Sequence, residues 1–235
     1  PAERPTNLTL LYNTRNAQIQ LIHTDAATGQ HQTRWTQSAN AEPLLISIDG
    51  GGILLAEPGA EGQTLRKLDL EDGSTLWNTP PFSKLAAQLP APAQRDGRLM
   101  VAGNADFQTA ADGAVSRNQI LITATPRTIV LVERTGRAVA LDVQTGNQLW
   151  ARQLSVNIVN DAAADAGLLA VGGYLADNPE TRFNPSRLGD PPGVHALAAY
   201  DIRTAEPLTQ SPALSTTVGW VRVLNGSEIA AGLQD

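Results

Sequence analysis

Ala140-Leu141-Asp142-Val143-Gln144-Thr145-Gly146-Asn147-Gln148-Leu149-Trp150 is the stretch on which the fold turns. Its first residues read as the end of a strand, and Asp142 to Gly146 read as a tight turn. In such a turn the Asp carboxylate accepts backbone N–H groups and Gly supplies the positive φ that closes it. The Trp then lies on the returning strand, where an indole is large enough to pack between neighbouring sheets.

The same arrangement recurs along the chain. Lys67-Leu68-Asp69-Leu70-Glu71-Asp72-Gly73-Ser74-Thr75-Leu76-Trp77 is a second copy. A third, Asp25-Ala26-Ala27-Thr28-Gly29 through Trp35, is longer between Gly and Trp. A fourth, Ala199-Tyr200-Asp201-Ile202-Arg203-Thr204-Ala205, has lost both the Gly and the Trp. Of the chain's 4 Trp residues, Trp35, Trp77 and Trp150 thus share one position, which scattered surface tryptophans would not do. Repetition on this scale signals a propeller or an array.

Short β-type runs precede the copies. Leu44 to Ile48 and Ile53 to Ala56 flank Asp49-Gly50-Gly51-Gly52, which reads as a hairpin turn. Ile120 to Thr123 and Ile129 to Val132 come before the next copy, and Leu168 to Val171 before the fourth. Val221 to Leu224 and Ile229 to Ala231 open a further unit, and Arg98 to Gly103 reads as another strand pair. Each run is bounded by Gly, Asn, Asp or Pro, as short antiparallel strands are. The expected fold is all-β: a β-propeller of four-stranded antiparallel blades, in which radial repetition shortens exposed edges. Full units fall near 43–81, 120–154 and 156–214, whereas the first, 8–37, lacks its leading strands. Residues 1–7 form a polar lead, and 8–235 read as one propeller domain of about four to five blade units. Either a small closed propeller or part of a larger one of seven or eight blades satisfies that count.

Composition sets further bounds. With 235 residues, 20 Gly, 15 Pro and only 17% charged residues, the chain suits a turn-dense β protein. Cys is absent, which removes disulfides, thiolate metal sites and thiol nucleophiles. A net charge of −6 without a Lys/Arg cluster offers little to nucleic acid. No apolar run approaches the ~20 residues that span a bilayer.

The motif resembles the tryptophan-docking repeat of pyrroloquinoline-quinone (PQQ) enzymes and their non-enzymatic relatives, Ala-x-Asp-x-x-Thr-Gly-x-x-x-Trp. Residues 140–150 match it throughout, and 67–77 match with Lys67 for Ala and Asp72 for Thr. A working member would be expected to hold Ca²⁺ through Glu and Asn, to carry a catalytic Asp, and often to place a Cys pair beneath the cofactor. No segment here matches those motifs. The resemblance therefore implies no catalytic, cofactor-binding or metal residue, with Asp25, Asp69, Asp142 and Asp201 assigned to turns. Gly29, Gly73 and Gly146 with Trp35, Trp77 and Trp150 complete the structural motif. His23, His31 and His195 lack metal-ligand spacing. Trp220, outside the docking position, is expected in the core.

Two insertions leave the compact repeat, near 104–118 and 176–193. Long loops without secondary structure are usually functional or disordered. The second carries Arg182, Phe183 and Arg187, residue types favoured at protein contacts, and is the expected partner-binding loop. The resemblance implies a non-catalytic binding or scaffold propeller of a bacterial envelope or membrane-associated complex. It would be periplasmic or extracellular, with other proteins as partners, no nucleic acid and no membrane span. The branch it resembles includes the propeller subunit of the outer-membrane barrel-assembly machinery. The alternatives are a partial or degenerate PQQ-dependent quinoprotein oxidoreductase and the extracellular sensor domain of a larger receptor.

Overall fold

The computed structural model describes residues 7–39, 42–49, 52–59, 62–89, 120–175, 194–214 and 216–234. Two compact units divide the chain, residues 1–82 and 83–235, and each is taken by itself.

In the first unit, β1 (Asn7–Asn13), β2 (Gln18–Thr24) and β3 (His31–Ser38) form a three-stranded antiparallel meander. A four-stranded meander follows: β4 (Leu44–Asp49), β5 (Gly52–Glu57), β6 (Thr64–Asp69) and β7 (Thr75–Asn78). The sequence predicts a first unit that lacks its leading strands. In fact β1 supplies one, so that sheet stands one strand short of its neighbour. Asp49 pairs with Gly52 across the expected hairpin, whose Gly50 and Gly51 lie outside the described residues.

Strand β5 is buried at every position, which is why it reads as an unbroken apolar run rather than an alternating one. A core of Ile19, Leu21, Trp35, Ile53, Leu55 and Leu68 joins the two sheets. Gly52 is needed at the start of β5. A Cβ there would sit 2.6 Å from the Leu68 carbonyl oxygen and 2.9 Å from Lys67 Cε. Lys67 itself is buried, its stem filling the place that Ala holds in the exact repeat. A single helical turn, α1 (Phe82–Leu85), begins at the last residue of this unit.

The second unit holds two further four-stranded meanders and a hairpin. The first meander is β8 (Ile120–Ala124), β9 (Thr128–Glu133), β10 (Arg137–Asp142) and β11 (Gln148–Gln153). The next is β12 (Val156–Asp165), β13 (Leu168–Leu175), β14 (Val194–Asp201) and β15 (Pro207–Gln210). Strands β16 (Thr217–Leu224) and β17 (Glu228–Gln234) pair with each other. Like β1, the ten-residue β12 is an element that no apolar run in the sequence marks. Its core neighbours include Val130, Val132, Ala140, Trp150, Leu169, Val171 and Tyr200. The fold class is all-β, with the four-stranded antiparallel blades of a β-propeller. The Arg98 to Gly103 pair and both insertions fall outside the described residues.

Candidate functional site

Four hairpins repeat one hydrogen-bond scheme. In each, the motif Asp carbonyl accepts the N–H of the residue four places on: Gly29 at 2.8 Å, Gly73 at 3.1 Å, Gly146 at 2.9 Å and Ala205 at 2.8 Å. The carboxylates cap the turns as well. Asp25 Oδ1 accepts the N–H groups of Ala27 and Thr28, both at 2.8 Å, and Asp142 Oδ1 those of Gln144 and Thr145. Asp69 and Asp201 accept from Glu71 and Arg203, each at 2.7 Å. The Thr hydroxyls of Thr28, Thr145 and Thr204 each accept the N–H two residues on. Where the second copy has Asp72 instead, its carboxylate accepts the Ser74 N–H at 2.8 Å, so the substitution keeps the bond.

Ionised oxygens that accept backbone N–H groups are stabilised in that form. The backbone N–H groups of Thr28 and Ala27 hold Asp25 below the usual carboxylate range, and that of Ser74 does so for Asp72. For Asp201 the main cause is the Arg203 side chain, with its backbone N–H next, and Arg203 is raised in return.

The indoles occupy equivalent points. Trp35 opposes Leu21, Trp77 opposes Lys67 and Trp150 opposes Ala140, and a bulge follows each pair on the way to the turn. Thr209 opposes Ala199 in the fourth sheet, so it stands where the other copies have Trp. The longer Gly29-to-Trp35 spacing is matched by a longer run from Leu21 to Asp25, which preserves the register.

Two docking bonds are geometrically the same. Trp35 Nε1–H donates to the Leu70 carbonyl at 3.1 Å, and Trp150 Nε1–H to that of Ile202 at 2.8 Å. Each acceptor immediately follows the motif Asp of the next sheet in the same unit. Beneath the ring lies that sheet's turn: a Cβ on Gly73 would come within 2.6 Å of Trp35 Cδ2. In the fourth copy Ala205 takes the left-handed conformation, φ 58°, and is buried in the cluster that holds Trp150. Leu70 and Ile202 went unnoticed in the sequence, although an apolar residue after the motif Asp marked them.

The junction to β16 lacks an indole and is built differently. Asn160 Nδ2 donates to the Val218 carbonyl at 3.1 Å, and Asp161 Oδ2 accepts the Val221 N–H at 2.8 Å. Arg222 adds an ion pair to Asp161 at 3.3 Å. Small residues let the sheets close: a Cβ on Gly172 would meet Val218 and Val221 at 2.5 and 2.7 Å. Trp220 corrects the expectation of core packing. It is 46% exposed and lies over Gly232 across the hairpin, on the face away from Val221.

Among the described residues, the motif carboxylates do not gather into the donor set of a Ca²⁺–quinone centre. Such a cation wants six to eight oxygens in one place. The motif carboxylates instead belong to four separate hairpins, each bonded to its own turn. Among the described residues, no group of three or more His, Asp or Glu could hold a metal. His31 Nδ1 lies 2.9 Å from Thr24 Oγ1 and His195 Nε2 3.4 Å from Thr217 Oγ1, each within its own unit. Arg182, Phe183 and Arg187 lie outside the described residues. Among the described residues no helix is long and apolar enough to cross a membrane.

Comparison with known proteins places this geometry in a family. No curated protein matches the chain. Among solved structures, Sqt1 of Saccharomyces cerevisiae aligns with a TM-score of 0.52 at 10% identity, over 93% of this chain and 50% of its own. The computationally designed Ika8 protein gives 0.51 at 11% identity, over 96% of this chain and 55% of its own. The chain thus spans about half the length of these structures, and at such identities the likeness speaks of fold alone. BamB from Moraxella catarrhalis is also similar, at 18% identity over 97% of this chain and 67% of its own, with a TM-score of 0.39. The family model described as outer membrane protein assembly factor BamB (PQQ_2) matches residues 9–221, nearly the whole of the repeat just described. The chain belongs to that PQQ-like propeller family.

Proposed function

We propose that the chain is a non-catalytic scaffold in a bacterial envelope complex, holding neighbouring proteins in register through loops and blade edges. The observation that carries this reading is the family match over residues 9–221, joined to a repeat whose carboxylates are spent on turns. The periplasmic side of an envelope is the compartment such a role requires. Partners are other proteins, docked by surface segments of which the 176–193 insertion is the preferred one. Its Arg182, Phe183 and Arg187 supply an aromatic anchor flanked by guanidinium groups, the composition of binding hot spots.

The test is co-purification of the tagged chain from cross-linked bacterial envelopes, with and without residues 177–192. The expected result is a defined partner band that the deletion abolishes while the melting transition stays in place. Unchanged partner recovery removes the loop from the role, and quinone-dependent dye reduction by the purified chain overturns the non-catalytic reading.

A further inference from the structure

We propose that the Glu57–Arg66 ion pair is a latch on the far end of β3, able to open while the indole of that strand stays docked. Trp35 fastens β3 to the second sheet at one point, through the Leu70 carbonyl. Ser38, the last residue of β3, lies three positions further on. There Arg66 Nη2 donates to the Ser38 carbonyl at 3.1 Å. The other side of the same peptide is held too: Ala39 N–H donates to the Ala17 carbonyl at 2.8 Å, and Ala39 is buried in the core with Trp35. The peptide on which the chain leaves the first sheet is therefore gripped from both sides.

Glu57 keeps the grip in place. It closes β5, its side chain is only 7% exposed, and its Oε1 lies 2.5 Å from Arg66 Nη2. A largely buried guanidinium is tolerated where a carboxylate compensates its charge. Glu57 is thus a positioning residue: it holds Arg66, and Arg66 holds β3.

The device recurs in the second unit. Glu133 closes β9 as Glu57 closes β5, and the strand registers make the two positions equivalent. Arg137 Nη1 lies 3.5 Å from Glu133 Oε2, and Arg137 Nη2 donates to the Ala86 carbonyl at 2.9 Å, in the segment that follows β7 and α1 along the chain. The fourth sheet has Gly173 at the Glu position, and a tyrosine takes over. Tyr200 accepts the Ser155 N–H at 3.2 Å, with its oxygen 2.7 Å from Ser155 Oγ, just past the end of β11. In all three places a side chain on the third strand of a sheet grips the chain where it has left the outer strand that precedes it in sequence. The indoles do not reach those points.

Hydrogen exchange on the full chain reads the latch at single amides, with Ala39 reporting Arg66 and Ser155 reporting Tyr200. Glu57→Gln keeps the shape and discards the charge. It should speed Ala39 exchange about tenfold or more while the Trp35 indole proton keeps its protection. Arg66→Met should do the same, and Arg66→Lys should restore part of the protection. Tyr200→Phe deletes only the hydroxyl and should speed Ser155. Removing one member of a buried pair is destabilising in itself, whereas apolar replacement of both is often neutral. Glu57→Leu combined with Arg66→Met should therefore recover the melting transition and still leave Ala39 exchanging fast. That paired variant and Tyr200→Phe decide should a single change at 57 or 66 fail to fold. Ala39 protection that survives Glu57→Gln or returns in the paired variant, Trp35 protection lost in step with Ala39, or a Ser155 amide unmoved by Tyr200→Phe each overturns the proposal.

Discussion

At the scale of single residues, two indoles do what four hairpin turns prepare for. Trp150 buries its ring among Ala140, Ile202 and Ala205 and satisfies the Ile202 carbonyl. Trp150→Phe keeps most of the ring but strands that carbonyl, at a cost of about 1–3 kcal/mol. Trp150→Ala adds a cavity and should cost about 3–5 kcal/mol. Urea denaturation of both variants reads the difference, and a cost below 0.5 kcal/mol (about the value of an ordinary surface change) would deny the docking role. Gly73 and Ala205 give a paired test. Gly73→Ala must place a methyl at φ 74° against the Trp35 ring and should destabilise by more than about 1 kcal/mol, whereas Ala205→Gly trades a buried methyl for relief of left-handed strain and should move stability by less. The turn carboxylates bring a pH dependence. Asp25, Asp72 and Asp201 are lowered in the folded chain, so they contribute stability above the ordinary carboxylate value of 3.8, and that contribution is lost as pH falls through their folded values. Melting curves between neutral and strongly acidic pH should fall steadily below that point, and Asp25→Asn should flatten the fall. A parallel fall in wild type and variant would remove Asp25 from the account.

At the scale of elements, most strands were legible because their physics is local. The runs at Ile53 to Ala56 and Ile129 to Val132 are continuous and β-branched or Leu-rich, and both proved to be strands buried along nearly their whole length. Strand β12 was not legible. Its sequence, Val-Asn-Ile-Val-Asn-Asp-Ala-Ala-Ala-Asp, combines residues of poor strand propensity, and two register shifts break its alternation. The same polar residues explain themselves only once β16 is beside them. Asn160 and Asp161 bond the backbone of Val218 and Val221, a long-range contact that no local pattern encodes. Trp220 departs from the core placement for a related reason: the exposed face of its hairpin depends on which sheet lies on the other side. Asp161→Ala leaves the Val221 N–H without that acceptor and should release the β16–β17 hairpin before the rest of the unit, by about 1–3 kcal/mol. Hydrogen exchange should show β16 amides losing protection while those of β9 hold. The Arg222 guanidinium is mostly solvent-exposed, and its ion pair adds little to this total.

At the scale of the whole molecule, each unit is a stack of sheets in which Trp35 or Trp150 reaches forward to the turn of the sheet after it. The repeat was readable from four short motifs, whereas any binding role was readable only by family likeness, since partner surfaces leave no periodic signature. The scaffold reading depends on those sheets being firmly docked. Indole hydrogen exchange, followed through the four Trp side-chain N–H resonances, tests that dependence most directly. The account predicts that the Trp35 and Trp150 protons exchange slowly, close to the rate of the core amides, while the half-exposed Trp220 proton exchanges fast. Trp35 or Trp150 exchanging as fast as Trp220 in the folded chain would contradict it.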